Sequence, residues 1–269
     1  MSTRITSRHN PRLKQAAALR DSRTRRKSGR LLVDGVRETL RALAAGVTPI
    51  EAFFDDHDPN ERTVETLAEL DRRGTPCVPV ASDAFAKLAY GDRNDGVVLV
   101  AEASTPSLAD LSLPGDALIT VVEGIEKPGN LGAILRTADG AGVDAVVVTD
   151  PRVDLFNPNV IRASVGAVFR SDVAVASADE TRGWLTERNT PIYATRPEAE
   201  KSYAAVDYRA SCAIVLGSEA DGLSPEWDAV ATGVSLPMLG VADSLNVSVA
   251  AAVLLYEARR QRDFRDADD

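Results

Sequence analysis

The chain has 269 residues, long for one domain and comfortable for two, with 44% hydrophobic and 26% charged residues, an ordinary balance for a soluble globular protein. Its two histidines, His9 and His57, and two distant cysteines, Cys77 and Cys212, offer neither a zinc cluster nor a disulfide framework, so no metal is expected and a reducing cytoplasm is. No apolar run approaches the roughly 18–20 residues needed to cross a bilayer, and the Arg-rich start has no apolar signal segment, so neither membrane insertion nor secretion is expected.

The net charge of −9 is unevenly spread. Residues 1–30 hold ten Lys/Arg against one acid, Asp21, so this segment is +9 and the other 239 residues total −18. A phosphate polymer suits such a patch, because each neutralised phosphate releases counterions. A solvated basic tail is the alternative. Leu13, Ala16, Ala17 and Leu19 recur at helical spacing and favour a docked basic helix. Arg8, Arg12, Lys14, Arg23, Arg25, Arg26 and Lys27 are then the candidate nucleic-acid-binding residues.

RLLVDG reads as a strand running into the helix VRETLRALAAG, which Gly46 stops. IEAFF (strand), TVETLAELDRRG (helix), CVPV (strand), a short helix around DAFAKLAY and the strand GVVLVAEA follow. This alternation predicts a smaller α/β domain over residues 1–103. STPSLADLSLPGD, without sustained period, predicts a linker over 104–116. From 117 to 269 the alternation is cleaner. ALITVVEGI is an apolar run typical of a parallel strand buried on both faces. The loop EKPGN, the helix LGAILRTADGAG, the strand DAVVVTD and the helix VIRASVGAVF come next. SDVAVA, TRGWLTERN, PIYAT, CAIVLGSE and GVSLPM complete the series before a final Ala/Val/Leu-rich helix.

Three stretches concentrate chemistry. In GIEKPGNLGAILRT, Gly124 and Gly129 have P-loop spacing, but Asn130 and Leu131 stand where the phosphate-gripping Lys and the Ser/Thr are needed. A dinucleotide glycine fingerprint is also absent, which argues against a nucleotide-binding oxidoreductase. Asn130 has a plain reading as a helix cap. Arg136 lies among apolar Ile134, Leu135 and Ala138, and a guanidinium in such company needs a phosphate or carboxylate partner. In CAIVLGSEADGLSPE, polar residues crowd the end of an apolar strand, where open α/β sheets bind ligands. An ordinary polar loop, with Ser224 capping PEWDAV, accounts for it equally well. In LPMLGVADSLNVSVAAAVLLYEARRQR, Asp243 or Ser244 would cap the helix, and Arg259, Arg260 and Arg262 would complement its dipole. That explains one polar residue, not Asp243, Ser244 and Asn246 with Leu245 between them.

Taken in order and spacing, NLGAILRTADGAGVDAVVV, IVLGSEADGLSPE and SLPMLGVADSLNVSVAAAVLLYEARRQR resemble the three motifs of the SpoU (TrmH-type) RNA ribose 2′-O-methyltransferases. Residues 5–46 also look like the RNA-binding substrate domain that precedes the catalytic domain in many members, itself similar to ribosomal proteins that bind kinked RNA. The resemblance implies a doubly wound α/β catalytic domain with a trefoil knot, a homodimer and S-adenosylmethionine as cofactor. It assigns Gly217, Leu236 and Leu245, with Ser218, Met238 and Ser244 beside them, to the cofactor. It assigns Arg136, Asn130, Glu219 and Asn246 to catalysis, Glu219 being a candidate to orient Arg136, and places Arg162 and Ser164 near the RNA. The implied reaction is methylation of a ribose 2′-hydroxyl in structured RNA, 23S-type ribosomal RNA leading. A tRNA target and a non-catalytic RNA-binding or ribosome-assembly factor of the same fold are the alternatives.

Overall fold

The computed structural model describes residues 3–57, 59–89, 96–170 and 172–263. The chain divides into two compact units, one of residues 1–104 with 154–169, the other of 105–153 with 170–269.

In the first unit the basic segment forms two helices where one was expected, α1 (Pro11–Ala18) and α2 (Ser22–Ser28). Asp21 breaks the run: its carboxylate accepts the Thr24 amide at 2.9 Å and caps α2, which Gly29 ends in the left-handed region. There follow β1 (Arg30–Asp34), α3 (Val36–Ala44), β2 (Pro49–Asp55), α4 (Glu61–Arg72), β3 (Cys77–Val80), α5 (Ser82–Phe85) and β4 (Val97–Glu102). The stretch around DAFAKLAY is helical only over α5, and Tyr90 lies outside the described residues. The sheet order is β1-β4-β2-β3, with β4 antiparallel to both neighbours and β2 parallel to β3. Leu13, Ala16 and Leu19 bury against Phe53, Val78, Phe85 and Val98, so the helical spacing read in the basic segment is a docked face and not a tail.

The second unit is built on β5 (Leu118–Glu123), α6 (Pro128–Gly140) and β6 (Ala145–Thr149). After them α7 (Pro158–Ala163) belongs to the first unit, and the second resumes with β7 (Val173–Ala176), α8 (Ala178–Glu187), β8 (Ile192–Thr195), β9 (Cys212–Leu216), β10 (Thr232–Val234) and α9 (Val247–Gln261). Its six strands are all parallel, in the order β10-β8-β9-β5-β6-β7. The chain winds outward from β5 through β6 to β7, then crosses to the other side, which is the doubly wound pattern. Every residue of β5, β6 and β9 is buried, which is why these strands read as unbroken apolar runs. Leu108, Leu111 and Leu113, in the stretch read as a linker, pack on this unit's core around Trp227 and Ile119. Arg259 donates to Ala141 O at 2.7 Å and Arg262 to Tyr208 O at 2.8 Å, so these arginines cap other segments' carbonyls instead of only complementing their own helix.

Residues 154–169 depart from the single helix expected for VIRASVGAVF. Val165 (φ 58) and Gly166 (φ 86) both turn left-handed after α7, and a short 3-10 turn, Ala167–Phe169, follows. A β-branched residue is strained there; Arg41 holds the turn by donating to Val165 O at 2.7 Å. Asp154 pairs with Arg25, which is only 3% exposed and also donates to the carbonyls of Leu19 and Arg20. No helix among the described residues is long and apolar enough to cross a membrane.

Candidate cofactor and catalytic site

The site grows from the carboxyl ends of β5, β8, β9 and β10, on the side of the sheet where the winding reverses. β9 runs into Gly217, where a Cβ would come within 2.3 Å of Gly222 C and 2.4 Å of Leu223 N. Only glycine lets the returning chain approach so closely. The turn it permits is closed by paired amides, Ser218 N to Gly222 O at 3.2 Å and Gly222 N to Ser218 O at 3.1 Å. Ser218 Oγ accepts the Asp221 amide at 3.0 Å.

The loop's outgoing leg is pinned by two charges that the sequence did not flag. Glu123, last residue of β5 and 8% exposed, accepts from Ser224 N (3.0 Å), Ser224 Oγ (2.8 Å) and Trp227 Nε1 (3.0 Å). Arg196, just past β8, donates to Leu223 O, Ser224 O and the Asp228 carboxylate. Ser224, expected to cap the following turn with its side chain, gives its hydroxyl to Glu123 instead.

Between these strand ends and the start of α9 lies a cavity of ≈ 560 Å³, within the range of small-molecule sites. All six predicted cofactor residues, Gly217, Ser218, Leu236, Met238, Ser244 and Leu245, line it, together with Glu219 and Asn246. Apolar Leu216, Leu236, Leu245 and Val247 alternate with Thr195, Ser218 and Ser244, a lining that fits a ligand that is part heterocycle and part zwitterion, as S-adenosylmethionine is. Lys127 and Arg196 also line it, and neither stood out in the sequence.

Three catalytic candidates from three separate segments meet here. Asn246, and not Asp243 or Ser244, caps α9: its Oδ1 accepts from Ser248 N at 2.9 Å and Ser248 Oγ at 2.6 Å. Its amide is thereby oriented to donate to Asn130 Oδ1 at 3.4 Å. Asn130 is no cap either. It is the third residue of a helix that starts at Pro128, and its amide donates to Glu219 Oε1. The Asn246–Asn130–Glu219 chain thus spans the starts of α9 and α6 and the loop after β9.

Arg136 differs from the expectation of a crowded guanidinium. Leu131, Ile134, Leu135 and Ala138 make the buried face of α6, while the Arg136 side chain is exposed and makes no hydrogen bond or ion pair with another described residue. Glu219 is engaged by Asn130 and forms no ion pair with Arg136. Exposed Arg152 ties Asp221 (2.6 Å) and Glu126 together across the neighbouring loops.

The predicted RNA residues separate. Lys14, Arg23, Arg26 and Lys27 are exposed, whereas Arg8 and Arg12 pair with Asp83 and Glu51. Arg25 is buried in its pair with Asp154, which corrects its place on an RNA-facing surface. Ser164 is fully buried, its hydroxyl donating to Ile161 O, so it too presents nothing to a ligand here. Arg162 lies at the end of α7, in the first unit. Among the described residues no three His, Cys, Asp or Glu side chains are grouped to hold a metal ion.

Residues 117–256 match the SpoU rRNA methylase family and residues 10–99 the MRM3-like substrate-binding domain. The 23S rRNA (guanosine-2'-O-)-methyltransferase RlmB of Bordetella pertussis is 37% identical over 85% of this chain and 96% of its own length. The 23S rRNA (uridine(2479)-2'-O)-methyltransferase of Streptomyces viridochromogenes is 32% identical over 96% and 92%. Among solved structures, an RNA 2'-O ribose methyltransferase matches with TM-score 0.85 and 42% identity, covering 97% of this chain and 99% of that one. The SpoU methyltransferase AviRb from Streptomyces viridochromogenes, in complex with AdoMet, gives TM-score 0.85 and 29% identity over 94% and 98%. The chain belongs to the SpoU rRNA methylase family. It is a methyltransferase, and the AviRb structure it resembles holds AdoMet.

Proposed function

We propose that this chain methylates a ribose 2′-hydroxyl of 23S-type ribosomal RNA. One observation carries the reading: the cavity lined by all six predicted cofactor residues is bordered by Glu219 and Asn246, which Asn130 links into one polar chain. The names of the relatives from Bordetella and Streptomyces support the substrate.

Gly217, Leu236 and Leu245 would hold the cofactor, with Ser218, Met238 and Ser244 beside them. When bound, the cofactor supplies an electrophilic methyl group, so the protein's task is to orient a weak nucleophile towards it. Asn130 and Asn246 hold each other's amides in fixed directions, and Glu219 fixes Asn130, so the chain offers preset hydrogen-bonding groups to a ribose. Arg136, with five donors and no internal partner, clamps the phosphate next to the target ribose. A guanidinium stays charged, so it does not take the hydroxyl proton; that phosphate or water does.

The same reading includes a domain division at about residues 104–116, a trefoil knot in the C-terminal domain, cytoplasmic residence and no metal, since the cofactor already carries the electrophile. It also includes a homodimer, which the exposed Leu239, Val241, Val249 and Tyr256 of the second unit support. The test is tritium transfer from labelled S-adenosylmethionine to total rRNA and total tRNA from a strain lacking the protein. Label in 23S rRNA at one 2′-O-methylnucleotide is the expected result; label only in tRNA, or none with the cofactor bound, refutes the substrate.

A further inference from the structure

Five of the ten cations in residues 1–30 are engaged within the first unit. Arg4 binds the Asp56 carboxylate (2.9 Å), Arg8 pairs with Asp83 (3.8 Å), Arg12 with Glu51 (2.7 Å) and Arg25 with Asp154 (2.7 Å). Arg20 donates to the carbonyls of Leu88 and Ala89. The side chains of the other five, Lys14, Arg23, Arg26, Lys27 and Arg30, are exposed and make no hydrogen bond or ion pair with another described residue. Four of those five fall on α2 and the first residue of β1.

Their arrangement is not what the helix itself wants. Arg23, Arg26 and Lys27 stand at i, i+3 and i+4, so three like charges share one face of α2 and repel. The two in the last turn favour the helix dipole, but Arg23 is in the first turn, where a cation opposes it. Buried Arg25 points the helix's other face into the fold. A polyanion would turn the repulsion into attraction. An arginine already paired to a carboxylate presents a dipole, and a phosphate that displaced the carboxylate would leave it unpaired, so paired cations release few counterions on binding.

We propose that the α2–β1 corner, through Arg23, Arg26, Lys27 and Arg30, grips the phosphate backbone of the substrate RNA, while Arg4, Arg8, Arg12 and Arg25 hold the fold. This rests on the reading of the chain as an RNA methyltransferase. The test compares two variants of the full chain, R23Q/R26Q/K27Q/R30Q and R4Q/R8Q/R12Q, in binding protein-free 23S rRNA from about 50 to about 300 mM salt, with cofactor affinity and thermal melting as controls of folding. With roughly 0.7–0.9 counterions per contact, the first variant should flatten the log–log salt slope by about three and bind more than about tenfold weaker near 0.1 M salt. The second should keep the wild-type slope. Equal loss of slope in both variants, or loss in the second alone, overturns the assignment. A wild-type protein that binds this RNA without salt dependence instead overturns the RNA reading of the first unit, and the assignment with it.

Discussion

The Glu123 carboxylate at the end of β5 accepts the indole N–H of Trp227 at 3.0 Å, across 104 residues of sequence. With the two bonds from Ser224 it fixes the leg of the loop that leaves the cavity. Glu123→Ala would strand the buried Trp227 N–H and the half-buried Ser224 amide, at about 2–4 kcal/mol. Glu123→Gln can accept both N–H groups on its amide oxygen while its NH2 meets Ser224 Oγ. We expect Glu123→Ala to melt earlier and bind S-adenosylmethionine more weakly by calorimetry, and Glu123→Gln to stay near wild type. A Glu123→Ala protein with unchanged affinity would show that the brace does not position the loop.

Gly217→Ala puts a methyl 2.3 Å from Gly222 C, so backbone must move. The turn that lines the cavity should open and cofactor affinity fall more than about tenfold, while far-ultraviolet circular dichroism changes little. Calorimetry decides, and intact affinity would mean that the loop is looser than its hydrogen bonds imply.

Asp154→Ala would leave Arg25 buried without its counter-charge. Removing one partner of a buried pair costs about 3–5 kcal/mol, because Arg25 is only 3% exposed and its remaining bonds go to carbonyls. Chemical denaturation should show a loss of this size; a loss below about 1 kcal/mol would place the pair with ordinary surface bridges.

Acid should weaken α9 late. Glu257 is held down at about 2 by hydrogen bonds from Arg260 and Gln261. A depressed carboxylate contributes fully above its ordinary value of 4.5, and its contribution is lost as pH falls from there towards 2. Glu257→Gln should therefore melt with a flatter pH dependence than wild type between about pH 5 and pH 2. Parallel melting curves for the two proteins would remove Glu257 from the acid response.

Much of this was legible in the sequence, and the failures share a cause. β5, β6 and β9 showed as apolar runs because both their faces are buried, and the site residues stood out where polar groups interrupt such runs. Asn130 was misread as a cap because the helix starts two residues earlier, at Pro128. Glu123 carried no local signal at all: an acid at the end of ITVVEG looks like the first residue of a loop, and its partners lie more than 100 residues away. Arg25 and Arg26 are indistinguishable by charge, yet one is buried by Asp154, 129 positions on, and the other exposed. Charge counts see neighbours in sequence; burial is decided by neighbours in space.

The most direct measurement is mass spectrometry of nuclease-digested 23S rRNA from cells that lack this protein, complemented with the wild-type chain or with Arg136→Ala at equal abundance. The account predicts one 2′-O-methylnucleoside with the wild type and its loss with Arg136→Ala, whose purified form still binds S-adenosylmethionine within about threefold of wild type, a difference below 1 kcal/mol. A methyl group that persists in the variant, or that lies on a base, would contradict it.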